Sequence, residues 1–154
     1  MPDERFMEQA IDKAREGIEK GQLPFGACIV KDRRIVSLAH NTIYKDTNII
    51  AHAETNAIRE ACEKLNTLDL SGCTIYCTCE PCMMCYGAIS LSGIGCIVYG
   101  ADKEYSNIKG FRVPDISDEE LNTAAKDNIK IVKGFMKEEC EGLFKLWESR
   151  EIKN

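Results

Sequence analysis

The chain has 154 residues, with 20 Lys and Arg against 25 Asp and Glu for a formal net charge of −5. This length suits one domain, residues 1–154, whose core needs no disulfide staples. A content of 44% hydrophobic and 29% charged residues excludes an intrinsically disordered chain. The acidic balance argues against a protein built around broad phosphate-backbone binding, though a local basic patch is compatible with it. Nine cysteines are many for this length, and the number is odd. Met1-Pro2-Asp3-Glu4-Arg5 is charged with no apolar stretch after it. The expectation is a cytoplasmic protein with reduced thiols, some buried as small hydrophobes and some ligating a metal.

In chain order, Phe6, Ala10, Ile11, Ala14 and Ile18 recur at helical spacing and end near Gly21. Residues 25–30 and 34–39 are short apolar runs that read as a hairpin around Lys31-Asp32-Arg33. A polar loop follows over 40–50. Ala53, Ala57, Ile58, Ala61 and Leu65 mark a second helix, and 72–78 a strand. Pro81 suits a first helical position, so a third helix is predicted from there to about Ser92. Residues 94–99 form a strand, 101–117 an ordered loop, 118–125 a short helix and 129–132 a fifth strand. Cys140, Leu143, Phe144 and Trp147 mark a last amphipathic helix. Residues 81–101 carry no charge and are long enough to span a bilayer, but Pro81, Gly87, Ser90, Ser92, Gly93 and Gly95 interrupt them. A buried helix followed by a buried strand is the better reading. The unit 72–99 predicts two parallel strands, and with the hairpin it implies a mixed sheet with helices on both faces.

The chemistry is concentrated in two short segments. His40 and His52 are the only histidines, and His52-Ala53-Glu54 opens the second helix. Glu80-Pro81-Cys82-Met83-Met84-Cys85 opens the third. Each segment is weak alone, since a Cys-x-x-Cys pair can be a redox dithiol or plain core, and Cys79 and Cys82 form a second, overlapping pair. Together they are much stronger. Cys82 and Cys85 at this spacing point to one side of a helix start, where unsatisfied N–H groups favour thiolates. With the imidazole of His52 they make a soft, tetrahedral zinc site with one position open, the pattern of a catalytic centre. Glu54 stands two residues beyond the histidine, placed to reach a water without being a ligand. A non-catalytic zinc domain closed by Cys79 as fourth ligand is the reading from a different class.

The combination His-x-Glu with Pro-Cys-x-x-Cys resembles the signature of zinc-dependent nucleobase deaminases. The chain resembles the cytidine deaminase-like superfamily over nearly its whole length. The likeness is carried by Leu23-Pro24-Phe25-Gly26-Ala27, Ala51-His52-Ala53-Glu54 with Asn56-Ala57-Ile58-Arg59, and Thr78-Cys79-Glu80-Pro81-Cys82-Met83-Met84-Cys85. It implies an α/β fold, a three-layer α/β/α sandwich around a five-stranded mixed sheet. It also implies one zinc ion on His52, Cys82 and Cys85, with Glu54 moving protons among water, ring nitrogen and leaving amino group. Asn41 is implied to hydrogen-bond the base, Phe25 and Gly26 to line the pocket under the ring, and Ala53 to contribute a backbone N–H.

Pro24-Phe25-Gly26-Ala27, Lys109-Gly110-Phe111 and Phe144-x-x-Trp147 resemble the guanine deaminase group, in which the C-terminal segment closes the site, in some members across a dimer. Glu138-Glu139-Cys140 resembles the bacterial tRNA adenosine deaminases. Asn48-Ile49-Ile50 departs from the Asp-Pro-Thr usual in both. The expectation is therefore deamination of a free base, guanine, a related aminated purine or cytosine, with Asp115 or Asp118 reading the base. For Asp118 a helix N-cap is the competing role. The alternative is a tRNA-specific adenosine deaminase acting on an anticodon loop. That activity wants a basic rim, whereas Lys126, Lys130, Lys133, Lys137, Lys145, Arg150 and Lys153 are interleaved with Glu138, Glu139, Glu141, Glu148 and Glu151, the pattern of a solvated face. A homodimer without membrane association is implied by the same resemblance.

Overall fold

In the computed structural model, which describes residues 1–153, the carboxylate of Asp3 accepts the Arg5 N–H and starts α1 (Glu4–Glu19). The helix buries Phe6, Met7, Ala10, Ile11, Ala14 and Ile18 as one stripe. β1 (Gly26–Lys31) and β2 (Arg34–His40) pair antiparallel. Asp32 and Arg33 both take positive φ (50° and 60°), as a tight two-residue hairpin turn requires. Then come α2 (Ile43–Asp46), α3 (Ala53–Leu65), β3 (Cys73–Cys79), α4 (Met83–Ser92) and β4 (Cys96–Ala101). The chain continues through α5 (Lys103–Ile108), α6 (Asp118–Ala125), β5 (Lys130–Val132) and α7 (Lys137–Lys153).

The five strands form one sheet in the order β2-β1-β3-β4-β5. β1 is antiparallel to β2 and β3, whereas β3, β4 and β5 are mutually parallel, so the sheet is mixed. Alternating side chains send successive residues to opposite faces. Ala27, Ile29, Ile75, Cys77, Ile97 and Tyr99 pack in one core with Ala53, Ala57 and Ala61 of α3 and Tyr86 and Ile89 of α4. Cys28, Val30, Tyr76 and Val98 pack in the other with α1 and with Cys140, Leu143 and Phe144 of α7. This is the α/β/α sandwich with a five-stranded mixed sheet. Among the described residues no helix is long and apolar enough to cross a membrane, and 81–101 is the helix α4 followed by the strand β4.

Four local expectations are corrected. The polar loop 40–50 contains α2, because Asn41 Oδ1 accepts the Ile43 N–H at 3.1 Å and Thr42 Oγ1 donates to Asp46 at 2.6 Å. The loop 101–117 contains α5, capped by Asp102, whose carboxylate accepts the Tyr105 N–H at 2.9 Å. Pro81 is not the first helical residue. The Glu80 N–H still bonds Ala101 at the end of the sheet, and the first helical bond runs from Tyr86 to Cys82, which makes Cys82 the N-cap. Asp118 is not an N-cap either. Ser117 holds that position in a reciprocal capping box with Glu120.

Two glycines let helices ride directly on the sheet. A Cβ at Gly26 would run into the backbone carbonyl of Ala10 on α1, and one at Gly100 into the Cys140 side chain on α7. Gly26→Ala should therefore lower stability by about 1–3 kcal/mol through overpacking, read as a lower midpoint in urea unfolding.

Candidate metal centre and cavity

His52 is the N-cap of α3 and Cys82 the N-cap of α4, and neither helix start has a side-chain cap hydrogen bond. Their first-turn N–H groups thus stay available to stabilise negative charge at the junction. The sandwich brings the two starts together. His52 Nδ1 lies 3.7 Å from Cys82 Sγ and 3.4 Å from Cys85 Sγ. A tetrahedral zinc site with Zn–S near 2.3 Å and Zn–N near 2.0 Å separates its nitrogen and sulfur ligands by roughly 3.6 Å. The donor set fits that ion in both chemistry and spacing. Among the described residues the group is His52, Cys82 and Cys85, without Cys79. The Cys79 thiol lines the cavity and faces the Asp102 carbonyl at 3.9 Å, so the four-ligand reading loses its ligand.

The ionisations are coupled. The Cys82 thiol is held down to about 4, first by the hydrogen bond from Cys85 and then by His52. Cys85 is pushed up by sharing that proton with the Cys82 thiolate and by burial. His52 is raised by its hydrogen bond with Cys82, against the effect of burial. Glu54 is buried and accepts from the Cys85 thiol at 3.1 Å. Burial raises its pKa, and the charge on Cys82 adds to this while His52 opposes it. A buried carboxylate whose basicity is raised in this way is a better proton acceptor than an exposed one.

A cavity of about 230 Å³ opens over this group. His52, Glu54, Cys82, Cys79 and Glu80 form its charged and soft side, and Leu23, Phe25, Ile43, Ile49, Phe111 and Val113 its apolar wall. Of the expected substrate contacts, Phe25 and Asn41 line it, whereas Gly26 and Ala53 do not. The room at Gly26 is taken by α1. Asn41 is buried, with its oxygen engaged by the Ile43 N–H. Ile49 and Ile50 are exposed at 77% and 55%, and Ile49 is part of the rim. Sequence reasoning missed Ile43, Ser106, Arg112 and Val113, which line the cavity from short helices and a loop without a periodic pattern.

The carboxylates expected to read a base are elsewhere. Asp115 is exposed and outside the cavity lining. Asp118 is sealed inside the protein, with neither oxygen hydrogen-bonded. Glu80 lines the cavity, but its two oxygens accept the backbone N–H groups of Lys103 and Asp118, each at 3.1 Å, and Lys103 Nζ lies 3.8 Å away. Among the described residues no uncommitted carboxylate other than Glu54 lines the cavity. The aromatic residues resembling guanine deaminases are packed on one another. Phe111 meets Phe25 at 5.1 Å, Phe144 at 5.7 Å and Trp147 at 4.9 Å between ring centres. α7 thereby braces the cavity wall from within the same chain.

Residues 1–101 match the family described as the cytidine and deoxycytidylate deaminase zinc-binding region. The chain belongs to this family of zinc-dependent hydrolytic deaminases. The tRNA-specific adenosine deaminase of Bacillus subtilis (strain 168) is 39% identical over 141 residues, 92% of this chain and 85% of its own. A solved structure from work on A-to-I editing by tRNA:A34 deaminases at the wobble position of transfer RNA superposes with a TM-score of 0.80. That structure is 29% identical and covers 92% of this deaminase and 99% of its own chain. The guanine deaminase of Bacillus subtilis (strain 168) is also 39% identical, but over 72% of each chain. The expectation of a free guanine-like base is thereby overturned. Among the sequence relatives the more extensive likeness is to tRNA adenosine deaminases. Of the residues that suggested guanine, Phe25 and Phe111 form apolar cavity wall packed against Phe144 and Trp147, and Asp115 and Asp118 lie away from the cavity.

The buried Asp118 gives the deaminase a pH signature. Burial pushes its carboxyl from 3.8 up to about 8, with Lys103 opposing. Between those values the folded protein holds a proton that the unfolded chain has lost, so stability falls as pH rises through this window. Asp118→Asn removes that loss. Relative to the parent, its thermal midpoint should be higher by about 5 °C at pH 8.5 and nearly unchanged at pH 4, measured by calorimetry.

Proposed function

We propose that this deaminase is a tRNA-specific adenosine deaminase, converting adenosine to inosine in an anticodon loop. The observation that carries this reading is the likeness to the Bacillus subtilis tRNA-specific adenosine deaminase over 92% of the chain. Among the described residues no uncommitted acid other than Glu54 lines the cavity wall, which is compatible with adenine, a base with no pair of ring N–H donors for such an acid to accept. An apolar cavity with a few polar groups suits a nucleotide turned out of its stack. His52, Cys82 and Cys85 hold the zinc ion. Zinc, when bound, supplies a Lewis acid that brings the ionisation of a water to near neutral pH.

Glu54 moves the protons. Its carboxylate takes one from the attacking water and delivers it to the ring nitrogen beside the carbon bearing the amino group, then carries the remaining hydroxyl proton to that amino group, so that the C–N bond breaks, ammonia leaves and the carbonyl of inosine forms. Phe25 contacts the face of the base and Asn41 hydrogen-bonds its edge. The surrounding apolar wall excludes bulk water, which strengthens each of these interactions. The proposal includes a cytoplasmic homodimer. Met83 and Leu91 are exposed on α4 at 48% and 90%, and sedimentation reads the stoichiometry directly.

Glu54→Gln keeps shape and removes the proton carrier. It should lower inosine formation in an anticodon stem-loop by at least about 10³-fold, with zinc content and thermal midpoint close to the parent. Inosine is read by nuclease digestion and chromatography, and zinc by atomic emission. Full activity in this variant would end the mechanism.

A further inference from the structure

Several cations of the C-terminal third are neutralised by neighbours. Lys109 pairs with Glu148 at 3.2 Å, Lys133 with Glu119 at 2.9 Å, Lys137 with Asp102 at 3.2 Å, and Arg150 with Glu19. Arg112 is exposed, it lines the rim of the catalytic cavity, and it has no ion pair or side-chain hydrogen bond among the described residues. Lys126, Lys130 and Lys145 also have no ion pair among the described residues, but none of them lines the cavity, whereas Arg112 does.

Its backbone is fixed on both sides. The Phe111 N–H donates to the Ser106 carbonyl at 3.1 Å, and the Val113 N–H to Asn107 Oδ1 at 3.0 Å. The Phe111 ring is held by Phe25, Phe144 and Trp147. Phe111 and Val113 line the cavity on either side of Arg112. An exposed side chain thus extends from a well-anchored point beside the opening. A guanidinium there has no partner inside the fold, and a neutral base entering the cavity alone would leave it without one. A nucleotide that enters as part of a strand brings its flanking phosphates to the opening, and the planar fork of arginine matches a phosphate's oxygens.

We propose that Arg112 binds an RNA phosphodiester next to the adenosine that enters the cavity. This assignment rests on the tRNA reading above and names a contact for it. Arg112 touches the strand and not the reacting atoms, so it contributes to capture and register and leaves the chemical step alone.

The test uses the zinc-loaded full chain, with an anticodon stem-loop RNA and, separately, adenosine 5′-monophosphate, over a series of salt concentrations. Arg112→Ala should raise KM for the stem-loop ~3- to 10-fold with kcat within about twofold, and flatten the dependence of log kcat/KM on log salt by roughly 0.7. Arg112→Lys should restore the salt slope and only part of KM, because it keeps the charge and loses the fork. Lys64→Ala, twelve residues along α3 from His52 and so roughly 18 Å away, should change neither. An unchanged KM and salt slope in Arg112→Ala overturns the proposal, as does an effect confined to the mononucleotide. Failure of the unmodified enzyme to form inosine in any RNA is a separate result, read before any variant, and it overturns the tRNA reading and this contact with it.

Discussion

The structure depends on holding sulfur charge inside a protein. Cys85 is buried and Cys82 half-buried beside an imidazole, where an unpaired thiolate would be costly. The fold meets this by aiming two helix starts at one point. α3 begins on His52 and α4 on Cys82, and both leave first-turn N–H groups without side-chain caps. Capping either start with a serine or aspartate would improve the helix locally and remove donors from the junction. The parallel pair β3 and β4 sets the position of α4, and the antiparallel strands β1 and β2 form the side of the sheet over which α3 packs.

A second set of helix starts steadies the first. Glu80 accepts N–H groups from the opening residues of α5 and α6, with the ammonium of Lys103 close by. Two donors and a cation fix a carboxylate two residues ahead of Cys82, and Pro81 stiffens the chain between them. Glu80 therefore belongs to the support of the metal centre although it lines the cavity. Asp118 is the by-product of this arrangement. Its N–H serves Glu80 while its own carboxyl is sealed without a partner, which is why it favours the neutral form.

Much of this was legible because it follows short-range rules. The apolar spacing of Phe6, Ala10, Ile11, Ala14 and Ile18 gives one buried stripe, and the run from Asp118 to Ala125 is a helix with the predicted bounds. The metal triad was legible because two sulfurs at helical spacing and one imidazole leave few other uses for so polar a set. α2 and α5 were not, since a single turn shows no periodicity, although Asp102 three residues ahead of Tyr105 carries a capping signal. Gly26 shows the limit of reading a glycine. The sequence says that something comes close, and only the packing says that it is α1 and not a ring. Phe25, Phe111 and Trp147 misled on substrate for a related reason. Aromatic residues shared with a group can be shared because they pack together, and these do. Arg112 had no pattern to betray it, being one cation in a loop.

On the proposed reading the remaining tension is an acidic chain acting on a polyanion. With a net charge of −5 and several C-terminal cations paired, the protein offers no broad field to attract RNA. On the proposed reading its affinity cannot come from many phosphate contacts, so it must come from the entering base and a few placed charges. The cavity is built for that division. Its apolar wall of Phe25, Ile43, Phe111 and Val113 favours desolvation of one base, while the polar groups that act on it are confined to the floor. A site of this kind discriminates by whether a nucleotide can leave its stack and reach the metal. An anticodon loop holds bases that are already unpaired, and the cost of extruding one is correspondingly small. Weak long-range attraction then serves selectivity, because duplex RNA gains little from the surface and cannot reach the floor.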